Sequence, residues 1–107
     1  MTLESLIIRR NDRMDDTGAI KAGVVNTYLL TASTNKAVTP PTGARYAIFA
    51  STHDIWVKMG GAASVPAGDT TDGTGSELNP SLRFIEGVTA IGVISEYAAK
   101  VSITFYK

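Results

Sequence analysis

The 107-residue chain contains no cysteine, so neither a disulfide nor a thiolate metal site holds it together, and its stability must come from packing or assembly. It carries no excess of either charge: ten basic residues balance ten acidic ones. Without a net field there is no long-range recruitment of nucleic acid or of an anionic membrane, and a dedicated DNA-binding domain is not expected. No apolar run approaches the ~20 residues of a membrane-spanning helix. The opening stretch, "MTLESLIIRRNDRMDD", sets a short apolar run before its charges, the reverse of a signal peptide. The chain is therefore expected to be soluble, made in the cytoplasm and unprocessed. No internal repeat, heptad pattern or long amphipathic helix is visible.

What is present is a β pattern. Short runs of β-branched and aromatic residues alternate with clusters of Gly, Pro, Asn, Asp and Ser. The last run, "KVSITFYK", alternates Val101, Ile103 and Phe105 with Ser102, Thr104 and Tyr106, the period of a half-buried strand whose first three residues face the core. "VTAIGVIS" (Val88 to Ser95) reads as a more buried strand, joined to the last by "EYAA". "LRFIE", "RYAIFAS", "DIWVKMG", "VVNTYLLTAS" and "LESLIIRR" bring the total to about seven strands, with Thr52 and His53 read as a tight hairpin. A 44% hydrophobic fraction supports one modest core. The expectation is a single all-β domain over residues 1–107, a small β-sandwich or jelly roll. Residues 1–23 are a candidate N-terminal strand and charged arm, and residues 24–107 the sandwich core.

Four places invite a chemical reading. "GDTTDGTGSELNP", Gly68 to Pro80, offers Asp69, Asp72 and Glu77 as hard oxygen ligands. It lacks the EF-hand register and the phosphate-loop motif, so an ordered connection is expected: Gly68, Gly73 and Gly75 permit positive φ, and Asn79 is held extended by Pro80. His53, between Ser51 and Asp54, cannot relay protons to residues that point apart from it, and reads as a turn histidine. Arg9, Arg10 and Arg13 form a basic cluster answered by Asp12, Asp15 and Asp16, a solvated arm. Trp56 is out of phase with Ile55, Val57 and Met59. If those face the core, the indole faces outward and suits a protein interface or a sugar platform; if both sheet faces are covered, it belongs to the core. No enzyme, cofactor or metal site is expected.

The segment from about Arg45 to Tyr106 carries a recurring set of elements: an aromatic-bearing hairpin, "VKMGGAASVPA", "DTTDGTGSELNP", and paired final strands ending in "FY". In these it resembles small structural proteins encoded among the head genes of tailed bacteriophages; residues 1–44 add little. The resemblance implies a virion component on the capsid surface, a decoration or cement protein of jelly-roll or sandwich fold bound to the major capsid protein. Such a protein is expected to form a dimer or trimer and to bind neither nucleic acid nor membrane. Candidate partner contacts are Arg9, Arg10, Arg13, Trp56, Asp69, Asp72 and Glu77. A tail or neck component and a carbohydrate-binding sandwich using Trp56 or Tyr46 are the alternatives.

Overall fold

The computed structural model describes Leu3 and residues 23–107. The strand expected at "LESLIIRR", apart from Leu3, and the arginines Arg9, Arg10 and Arg13 lie outside the described residues.

Among the described residues eight strands run in order: β1 (Val24–Leu30), β2 (Lys36–Val38), β3 (Tyr46–Ser51), β4 (Trp56–Met59), β5 (Glu77–Leu78), β6 (Leu82–Phe84), β7 (Ile91–Ile94) and β8 (Ala99–Tyr106). Their pairing is nested. β1 pairs with β8, β2 with β7, β3 with β6 and β4 with β5, all antiparallel. The described chain is thus one long hairpin ribbon, closed at its tip by the segment between β4 and β5. Rolling that ribbon brings β3 beside β8 and β4 beside β7. Two four-stranded sheets result, β1-β8-β3-β6 and β2-β7-β4-β5. This is the strand order of a jelly roll, a sandwich of two antiparallel sheets.

Period-two patterning explains the packing. Val101, Ile103 and Phe105 of β8 are fully buried, with Ala47 and Phe49 of β3 on the same inner face. Val57, Ile91 and Val93 meet them from the second sheet, and Ile55 and Ile85 close the ends of one apolar cluster. Each buried valine, isoleucine or phenylalanine among them contributes about 1.5–3 kcal/mol by leaving water. Ser102 and Thr104 lie on the opposite face, half-buried. Tyr106 shares their phase yet is buried, its ring packed where a Cβ on Gly23 would stand.

Two expected pairings are corrected. Thr52 and His53 do not close a hairpin: β3 and β4 belong to different sheets, and this corner carries the chain across the end of the sandwich. Ser51 Oγ donates to the His53 carbonyl, and the Lys100 amide donates to Thr52 Oγ1 at 3.0 Å, tying the corner to β8. Nor do the two final strands pair, since β7 and β8 also lie in opposite sheets. In both cases the turn is short enough for a hairpin, but the apolar faces are better buried against each other than side by side. β2 and β5 were not expected. Each is only two or three residues long, too short for a periodic signal.

Candidate functional site

The loop that raised a metal question is built by turn chemistry. Asp72 Oδ1 accepts the Thr74 hydroxyl at 2.6 Å and the Thr74 amide at 3.1 Å, an Asx turn that holds the carboxyl below its ordinary range. Gly73 beside it takes the left-handed φ of 85°; Gly68 and Gly75 do not need one. Asn79 corrects the expectation of an extended residue before proline, with φ of 47°. Its side chain supplies the reason. Oδ1 accepts the Ile55 amide, Nδ2 donates to Asp54 Oδ1, and the Asn79 amide donates to the Ile55 carbonyl, each at 2.9 Å. Those bonds offset the cost of a conformation that asparagine tolerates better than most residues.

The expected contact residues therefore do not converge. Glu77 turns away from Asp72 to a bidentate pair with Arg83, whose Nε donates at 2.8 Å. That hydrogen bond lowers the Glu77 carboxyl and raises the guanidinium. Because β5 and β6 are edge strands of different sheets, the pair stitches the sandwich along one side. Asp69 is exposed. No group of three or more His, Asp or Glu side chains placed to hold a metal occurs among the described residues. His53 is exposed and lies 5.5 Å from the Tyr97 ring, centroid to centroid, and Ser51 Oγ is committed to the His53 backbone.

The two outer sheet faces are treated differently. Residues 60–76, between β4 and β5, fold back over the second sheet. The Gly60 amide donates to the Ala90 carbonyl at 2.7 Å, the Ala63 amide to Asn35 Oδ1 at 2.8 Å, and Lys58 Nζ to the Thr74 carbonyl at 2.6 Å. The backbone at Gly61–Ala63 passes so close over Gly92 that any Cβ there would strike it. This cover explains why all four residues of β7 are buried and why Trp56 is only half exposed. The indole floors a groove of about 360 Å³ walled by Ser64, Pro66, Thr70, Thr74 and Ser76. Trp56 points away from the core, as the outward reading has it; it does not join the core, and the chain's own loop covers part of it.

The first sheet has no such cover among the described residues. Its outward positions follow from the register: Val25, Thr104, Ile48 and Leu82 form one row, and Tyr106, Tyr46 and Phe84 another. Val25 is 53% exposed, Leu29 66%, Leu82 43% and Phe84 56%. Phe84 meets the Tyr46 ring edge-on at 5.4 Å, with the Arg45 guanidinium 5.8 Å from its centroid. Lys100, opposite Leu29, is the one charge among these register positions. Sequence reasoning missed this face as a site. The available signal was "VVNTYLL", apolar in both phases of a strand, where a half-buried strand would be polar in one.

Compared with protein-family models, with curated proteins and with solved structures, the chain matches none.

Proposed function

We propose that this chain is a non-enzymatic structural protein of a bacteriophage virion, a decoration protein that binds the major capsid protein and staples the head shell. The observation that carries the reading is the apolar outer face of the first sheet, which has no cover among the described residues and exposes Val25, Leu29, Leu82 and Phe84. On the second sheet the 60–76 loop lies over Gly92 and part of Trp56 and leaves Leu78 as the exposed apolar strand residue. Large apolar side chains grouped on one face mark a contact surface. The resemblance of residues 45–106 to phage head proteins supplies the partner class. The jelly roll agrees with it as an analogy of fold, being used by viral capsid proteins and by lectins alike.

On this reading the face seats on neighbouring capsid subunits and adds contacts across seams loaded by packaged DNA. Many copies acting together hold the shell although each contact is weak. The test is heat survival of particles with and without added protein, with bound copies counted on gels. Decorated particles should outlast bare ones and carry hundreds of copies. Equal survival, or a single ring of copies, rejects the cement role, and the ring would move the protein to the tail or neck.

One observation favours a second reading, a carbohydrate-binding module: the Trp56 groove, with its aromatic floor and hydroxyl walls, has the size and lining of a sugar subsite. A glycan array with Trp56→Ala as control separates the two.

A further inference from the structure

Among the described residues, three of the four edge strands are blunted. β2 and β6 have three residues and β5 two, and they carry Lys36, Arg83 and Glu77. Brevity and charge discourage pairing with a foreign strand. β1 is the exception. It has seven residues with no charge, proline or glycine, and among the described residues its one strand neighbour is β8. A strand in that position presents a row of backbone amides and carbonyls for another strand to pair.

We infer that β1 is a homodimerisation edge, pairing antiparallel with β1 of a second copy about a twofold axis through Thr27. The occupant is a second copy because the strand is its own complement. "VVNTYLL" reads apolar, apolar, polar, Thr, polar, apolar, apolar in either direction. Centred on Thr27, the antiparallel register sets Val25 against the partner's Leu29 and Asn26 against the partner's Tyr28. Valine and leucine meet on the outer face. On the inner side the Asn26 amide comes opposite Tyr28, whose ring packs on the core and whose hydroxyl already accepts from Asn26 within one strand, a match of the kind that stabilises cross-strand pairs. The nearest charge among the described residues, Lys100 on β8, lies opposite Leu29, so the twofold sends the two lysines to opposite ends and they do not face each other. Each copy offers the same surface, as a closed twofold dimer requires. The inference stands independently of the capsid reading.

The test uses the full chain. Val25 and Leu29 are exposed, so substitution there spares the core. In Val25→Glu/Leu29→Glu, glutamates face each other twice across the twofold; in Val25→Lys/Leu29→Glu, each lysine faces a glutamate. Sedimentation should show a wild-type dimer, a dimer Kd raised about tenfold or more by the first pair, and most of that loss recovered by the second. As an independent readout, Thr27→Cys places a thiol on the twofold of a chain that otherwise has none. It should form a disulfide-linked dimer on mild oxidation, because directly opposed positions lie within disulfide reach. Ala50→Cys, on the same face but away from the edge, should not. A monomeric wild type, a trimer, equal loss in both charge variants, or cross-linking at position 50 in preference to 27 would each overturn the assignment.

Discussion

Gly92 is the position where one methyl group should cost most. It sits mid-strand in β7 with the chain's own backbone packed across it. A Cβ would lie 2.5 Å from the Ala63 nitrogen and 2.8 Å from Asn35 Oδ1, and closer still to the Gly61 carbonyl. Two of these three atoms are backbone, so a side-chain rotation cannot relieve the clash. The third, Asn35 Oδ1, is the acceptor that fastens the Ala63 amide. Gly92→Ala therefore requires the start of the 60–76 loop to lift. Forcing a methyl into a packed position costs about 1–3 kcal/mol, and loosening one hydrogen bond adds roughly 0.5–1.5 kcal/mol. For a domain near 100 residues each kcal/mol lowers the melting temperature by roughly 4–8 °C. Asn35→Ala attacks the same seam from the other side, so the double variant should lose less than the sum of the single ones. The assays are thermal melts and limited proteolysis within residues 60–76. A Gly92→Ala protein that melts with the wild type and resists cleavage equally would show that the loop is not seated on β7.

Three further outcomes follow from the geometry. Phe105→Ala removes a fully buried ring from near the C-terminal end of β8 and should cost about 3–5 kcal/mol in urea denaturation, enough to unfold a marginal domain. Glu77→Gln tests the pair between the sheet edges. The carboxyl is depressed by Arg83, so its contribution is complete above the ordinary glutamate range and disappears as pH falls through the lowered value. Wild type and variant should differ slightly at neutral pH and converge in acid. High salt should shrink the difference, since both partners are nearly half exposed. Leu82→Ser with Phe84→Ser should leave the melting temperature within the few degrees expected of surface changes while lowering particle occupancy. Unchanged occupancy would remove the first sheet's outer face from the proposed contact.

The alternation in "KVSITFYK" made the inner face of β8 legible, because a period of two has one physical solution once one side is dry. The continuous run in "VTAIGVIS" likewise announced a more buried strand, although only the structure shows that the 60–76 loop covers its outer side. Sheet membership was not legible. "STHD" and "SEYA" have the length and polarity of hairpin turns, and nothing local distinguishes a turn between neighbouring strands from one that crosses the sandwich. Asn79 shows the limit of a rule about one residue: proline disfavours most conformations before it, but three hydrogen bonds to Asp54 and Ile55, distant in sequence, outweigh that preference. The acidic residues of the loop looked like a group because they are close in sequence. In space Asp72 serves its own turn and Glu77 crosses to β6.

The exposed face and the uncharged edge belong to the same sheet, and that has an energetic consequence. With strands about 4.8 Å apart and roughly 20 Å long, a four-stranded face offers on the order of 400 Å² to a partner. A standard stable interface takes about 800 Å² per side. One copy is therefore half a binding surface. Antiparallel pairing of β1 about a twofold normal to the sheet would place both outer faces on the same side of one eight-stranded sheet, reaching the standard size without any new residue. The second face would then bind as an intramolecular event, which raises avidity far above that of either alone. It follows that occupancy on particles should fall steeply in Val25→Glu/Leu29→Glu and recover in Val25→Lys/Leu29→Glu, although both variants alter the face itself to a similar degree. If the two variants bind particles equally poorly while only one has lost its dimer, the face acts one copy at a time and the coupling between edge and face is wrong.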